Sequence, residues 1–332
     1  MKWVAIDLGR NEIKAAVRDI AGQPTKLLYN NNGRMYSYMP SEGFEYTHGK
    51  VYMGNYLPIV GALFPERICY SKAPETENSY FNTLFATIKD AASQHYNDSS
   101  IGVVLLYEKE NNDKIIPIAK SYFAEVQQKC SSEVLSSVLY SNEGTSMIID
   151  ISMSALKMSL LEKGNAPAYY LSNELGFSTI DISEMIGYTI TDNYTENYLH
   201  GQILEDVRIR LCQGKEDLFF GDVLNVDSSN SSIIKKNFED CMTRYLYRCF
   251  DVCSKNLKQL SKNWNDINNI ICCGSASNYV RMKETICEFL RGCSTDINAL
   301  KITIYDKDAQ WAAAFSTLQL PLLEESGVIV EF

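Results

Sequence analysis

The chain has 332 residues, a length suited to two domains of about 150 residues each. Hydrophobic residues make up 45% and charged residues 22%, enough apolar material for a true core. A net charge of -10 and the lack of any Lys/Arg cluster argue against nucleic-acid and membrane partners. A mononucleotide stays possible, because backbone N–H groups and a metal hold it locally.

The first residues read straight into strands: KWVAIDLG, EIKAAVRD and PTKLLYN. With no signal peptide and no bilayer-length apolar run, the expected location is the cytoplasm. Residues 31–55 are turn-rich and end in the strand-like KVYMG. NSYFNTLFATIKDAASQHY has helix spacing, and SIGVVLLYE is a buried strand. NNDKIIPIAKSYFAEVQQKC reads as one amphipathic helix and SSEVLSSVLYS as another. SMIIDISMSALKMSLLEKG then repeats the opening pattern, followed by a strand in NAPAYYLSN and a helix in STIDISEMIGYTITDNY. After a polar stretch near 195–235 come a long helix from Ile233, the buried strand INNIICCGS, the helix YVRMKETICEFLRG, the strand LKITIYD and the helix AQWAAAFSTLQL. This order predicts an α/β protein of two similar halves, a duplicated domain.

The repeated hairpin is the most informative feature. VAIDLGRNEIKAAVRD and MIIDISMSALKMSLLE each carry apolar residues, an Asp, a short turn and an alternating strand. Facing copies would bring Asp7 and Asp150 to one cleft, where turn N–H groups cradle a polyphosphate and the carboxylates hold Mg²⁺, directly or through water. A third element, a strand, a small-residue turn at Gly274, Ser275 and Ala276, then a helix, suits close approach of an anion.

The ten cysteines are expected to be reduced. Cys249 and Cys253 share a helix face; they are two metal ligands or, as we prefer, core residues, since no His or Cys pair completes a site. The three histidines are read as loop residues without a catalytic role.

Taken together, these segments resemble the actin, hexokinase and heat-shock-chaperone ATPase superfamily, and within it the nucleotide-binding domain of DnaK-type seventy-kilodalton chaperones. AIDLG resembles the first phosphate motif and IIDISMSALKMSLLE the second. YMPSEGFEYTHGKVYMGN resembles the Pro-Ser segment, NELGFSTID the entry into the second domain, and ILEDVRIRL the adenine-contacting helix. IICCGSASNYVRM resembles the adenosine motif and DAQWAAAFSTL the closing helix. The resemblance implies a two-lobed actin-like ATPase fold of duplicated ribonuclease-H-like domains with a central cleft. It places one lobe at residues 1–145, with an insert near 30–80, and the other at 146–332, with an insert near 180–235.

It also implies residue roles. Asp7 and Asp150 would hold Mg²⁺ through water, and Gly9, Arg10, Asn11, Ser152 and Ser154 would line the phosphates, with Arg10 either pairing with a phosphate or filling its space. Glu205, Arg208, Gly274, Ser275 and Ala276 would hold the adenosine, with an ordinary helix ion pair as the alternative for Glu205 and Arg208. Lys72 would reach the transferred phosphate, with a solvated surface lysine as the alternative. Glu133 would place the attacking water, with a helix N-terminal acid favoured by the dipole as the alternative.

Departures weigh against fast turnover. Arg10 and Asn11 replace small hydroxyl residues, the second turn reads Ser152, Met153, Ser154 without glycines, and Ala155 and Lys157 replace a Thr and an acid. Losing one backbone donor at a transition state costs on the order of 100-fold in rate. The expected function is therefore adenine-nucleotide (ATP or ADP) binding with weak hydrolysis at most. A pseudo-ATPase scaffold that binds a protein partner is the alternative, and any client would bind the lobes themselves or another chain. A small-molecule kinase and a filament-forming actin relative are weaker readings of the same superfamily.

Overall fold

The computed structural model describes residues 1–9, 12–31, 34–40, 42–47, 50–53, 67–70, 78–107, 114–139, 144–151, 156–165, 167–172, 210–215, 228–305 and 308–320. The chain divides into two compact units, one of Met1–Val138 with the chain from Trp311 onward, the other of Leu139–Gln310. The boundary thus falls before the expected residue 145, and the closing helix belongs with the first unit.

In the first unit, β1 (Lys2–Leu8) and β2 (Glu12–Arg18) form an antiparallel pair. β3 (Pro24–Lys26) extends β2, and the short strands β4 (Tyr29–Asn31) and β5 (Arg34–Tyr36) pair with each other. β6 (Tyr38–Pro40) also pairs with β2. A separate sheet holds β7 (Glu42–Thr47), β8 (Lys50–Tyr52) and β9 (Ile68–Tyr70). Residues 31–55, read from sequence as mostly turn, therefore contain several short strands.

Helix α1 (Asn78–Tyr96) leads to β10 (Ile101–Tyr107), helix α2 (Ile115–Lys120), β11 (Glu125–Cys130) and helix α3 (Ser131–Leu139). The single helix expected across Asn111–Cys130 is instead a short helix and an edge strand. The chain turns at Ser121–Phe123, and β11 pairs parallel to β10. Pairing with a buried central strand overrides the weak strand propensity of Glu-Val-Gln-Gln-Lys.

The main sheet of this unit runs β11-β10-β1-β2-β3. Val4, Ile6, Ile13, Ala15, Val17, Val103 and Leu105 bury one face against Tyr80, Phe81, Leu84, Phe85 and Ile88 of α1. These residues recur at helix spacing in α1 and at alternate positions in β1 and β2, so each element offers one apolar face.

The second unit starts with β12 (Ser146–Ile151), β13 (Leu156–Leu161) and β14 (Ala168–Ser172). Helix α4 (Ser228–Gln259) follows, then β15 (Asn269–Cys273), helix α5 (Met282–Gly292) and β16 (Lys301–Ile304). Its sheet runs β14-β13-β12-β15-β16. The β12/β13 and β13/β14 pairs are antiparallel, and the β12/β15 and β15/β16 pairs are parallel. This is the same order and the same set of strand directions as in the first unit.

Helix α4 lays Ile234, Phe238, Met242, Tyr245, Cys249, Phe250, Cys253 and Leu257 on the sheet face formed by Met147, Ile149, Ile151, Leu156, Met158 and Leu160. The opposite face of β12 and β13 is buried as well but mixed, with Ser146, Asp150, Lys157 and Ser159 beside Ile148 and Leu161. The last helix, α6 (Ala312–Gln319), packs over β1, β2, β3 and β10 of the first unit. No helix among the described residues is long and apolar enough to cross a membrane.

Candidate functional site

The parallel strands decide where chemistry can gather. β1, β10 and β11 run in one direction, so their carboxyl ends share one sheet edge. Asp7 and Gly9 close β1 at that edge, and Glu133 stands just beyond β11 in the first turn of α3. Ligands in α/β sheets gather outside the carboxyl ends of the strands. Asp7 and Gly9 are half-buried and Glu133 is exposed.

The second unit repeats the arrangement. Asp150 is near the carboxyl end of β12, its Cα partner on the parallel strand is Cys273, and Gly274 follows directly. Asp150 and Gly274 are thereby brought together by strand pairing. Gly274 has φ +88°, where a side chain is strained. A Cβ there would collide with Asp150 Oδ1 and lie 2.5 Å from the carbonyl oxygen of Ile151. The glycine is thus required by the chain itself, apart from any ligand. Its N–H donates to the Ala309 carbonyl at 3.1 Å. Ser275 and Ala276 are buried in the short turn that follows, where Ser277 Oγ donates to the Cys273 carbonyl at 2.6 Å.

The strongest electrostatic feature is a residue that the sequence marks only as a departure. Lys157 Nζ lies 3.3 Å from Asp150 Oδ2, with the two side chains only 6% and 10% exposed. The pairing follows from register, because Lys157 is the antiparallel Cα partner of Asp150. The first hairpin repeats the register, with Lys14 the Cα partner of Asp7 and also buried. Hairpin pairing combined with strand alternation was the available signal: both lysines stand at the same spacing from their aspartates.

Burial of an ion pair removes water from both groups, so each comes to depend on the other. A doubly charged ion about 4 Å from an ammonium is repelled by roughly 8 kcal/mol at an effective dielectric of ~20. The Cys273 thiol is pushed well above its ordinary range, first by burial and then by the charge of Asp150.

The cysteine pair belongs to the core. Burial raises Cys249 to about 12, and Cys253 well above its ordinary value. Both side chains lie in the apolar cluster between α4 and the second sheet. His95, expected in a loop, lies in the last turn of α1, its Nε2 2.9 Å from the Arg18 carbonyl oxygen. Arg10, Asn11, Lys72, Ser152, Ser154, Glu205 and Arg208 lie outside the described residues, as does the helix expected in 178–194.

No protein-family model matches this chain, and a search of curated proteins finds no match either.

Proposed function

We propose that the chain is a two-lobed actin-like ATPase fold that binds an adenine nucleotide at the carboxyl ends of its two duplicated sheets and hydrolyses it weakly at most. The observation that carries this reading is the repeat itself. Two sheets share one strand order, and each ends its central strand in an aspartate faced by a lysine across a hairpin. Duplicated strand ends of this kind suit a polyphosphate, which needs backbone donors and cations from both sides. Weak turnover is expected because the second turn lacks the glycines that bring backbone N–H groups against a transferred phosphate.

Thermal unfolding of the nucleotide-stripped protein tests the reading. Ligand that binds the native state raises the midpoint by mass action. ATP and ADP are expected to raise it at millimolar concentration, and Asp7→Ala to reduce the rise.

A second reading, a pseudo-ATPase serving as a protein-interaction scaffold, is favoured by one observation: the Asp150 carboxylate is already held by Lys157. A flat midpoint across all nucleotide concentrations would select it, and the search would move to a protein partner.

A further inference from the structure

Strand register brings a further lysine into line with the first aspartate. Asp7 is the parallel partner of Leu106 on β10, and Leu106 is the parallel partner of Lys129 on β11. Lys14 of β2 stands on the other side of Asp7. Ile6, Leu105 and Val126 pack toward α1, so alternation turns Asp7, Leu106 and Lys129 to the opposite face of the sheet. The row therefore carries two lysines and one aspartate at the edge where the parallel strands end, in a chain of net charge -10.

Lys129 differs from the hairpin lysines. It is half-buried, and among the described residues no hydrogen bond or ion pair holds its ammonium. Burial alone pushes it below the ordinary lysine range. A lysine that only guarded an edge strand would keep its ammonium in water. At the matching place in the second sheet stands Tyr305, just past β16, its N–H donating to the Cys272 carbonyl at 2.8 Å. The lysine is thus a feature of the first sheet and not of the repeat.

We propose that Lys129 is a phosphate-binding residue, its ammonium donating to a phosphate oxygen of the nucleotide at the strand ends of the first sheet. The proposal deepens the nucleotide-binding reading above and rests on it. Asp7 and Lys129 lie two strand spacings apart, about 10 Å, with Leu106 between them. The flexible stem of a lysine carries its three donors toward a ligand above that row. A phosphate there supplies the counter-charge to an ammonium already half removed from water, so no existing ion pair has to break first.

The test is isothermal calorimetry of ATP in excess Mg²⁺ with the whole chain, nucleotide-stripped, and two variants. Lys129→Met removes a charge without a counter-ion, so it is expected to fold and to keep or raise its urea midpoint. It should bind ATP on the order of tenfold or more weakly, the loss of one hydrogen bond to a charged group. Lys129→Arg keeps the charge and should recover most of that affinity. A dissociation constant for Lys129→Met within about three-fold of wild type, or equal losses in both variants, would overturn the proposal and leave the nucleotide reading intact. Absence of binding heat in the wild type would overturn both.

Limited acetylation of the native protein, mapped by mass spectrometry with the exposed Lys283 as internal reference, gives a second readout. ATP should slow labelling of Lys129 and leave Lys283 unchanged. Equal labelling of Lys129 with and without ATP would also overturn the assignment.

Discussion

At the scale of single residues, the buried Asp150–Lys157 pair and the glycine beside it govern the second unit. Breaking a buried pair from one side leaves an uncompensated charge. Lys157→Met is expected to cost about 3–5 kcal/mol in urea unfolding. Asp150→Asn in the same molecule should recover most of the loss, because a neutral pair needs no partner. Additive losses in that double-mutant cycle would mean that the two side chains do not interact. Gly274→Ala meets two penalties at once: a backbone at φ +88° and a Cβ pressed on Asp150 Oδ1 and the Ile151 carbonyl. A loss of at least ~1–3 kcal/mol is expected, against the few tenths typical of a free surface glycine.

At the scale of elements, Arg18 ties α6 to the first sheet. Arg18 Nε and Nη2 donate to the Leu318 carbonyl at 3.0 and 2.6 Å, satisfying an oxygen in the last turn of the helix. The Arg18 N–H in turn donates to Tyr96 Oη, which donates to the Trp3 carbonyl at 2.8 Å. Lys26 adds a cation–π contact, 4.3 Å from the centroid of the Trp311 ring. Ala5 and Ala16 are opposite each other on β1 and β2, the strands that α6 packs over. Arg18→Ala should cost about 1.5–3 kcal/mol, the range for hydrogen bonds to charged groups. Hydrogen exchange should show that loss concentrated in α6, and a uniform change across the chain would contradict the clamp.

Helix α4 and strand β15 carry a pH signature of their own. Cys249 and Cys272 are held near 12 by burial, against about 9 for an ordinary thiol. Between those values the unfolded chain gives up these protons and the folded chain keeps them. Stability therefore falls as pH rises above 9, and neither thiol contributes below it. Midpoints measured from pH 8 to 10.5 should fall less steeply in a Cys249→Ala/Cys272→Ala protein than in the wild type.

At the scale of the molecule, the central strands and long helices were legible because their patterns are strong. Runs such as Ile101–Tyr107 and the helix-spaced apolar residues of α1 and α4 admit few alternatives. β11 escaped because Glu125–Cys130 is a polar edge strand whose form comes from its partner β10. The strand-like KVYMG is found as β8, whereas β5, β6 and β7 escaped because their pairing is set by neighbours and not by composition. At the candidate site, the repeated aspartates and the Gly274 turn were visible in sequence, and the fold does bring Asp150 and Gly274 together. Their chemistry was less visible: a sequence places Lys157 seven residues after Asp150, but only register and burial show that it faces Asp150.

The central claim is the proposal that an adenine nucleotide binds at the duplicated strand ends. The most direct measurement is hydrogen exchange of the whole chain with and without saturating ATP, followed by mass spectrometry. The account predicts slower exchange in the segments around Asp7, Asp150 and Gly274, the strand ends to which the proposal assigns the nucleotide. Unchanged exchange in all three segments would contradict it.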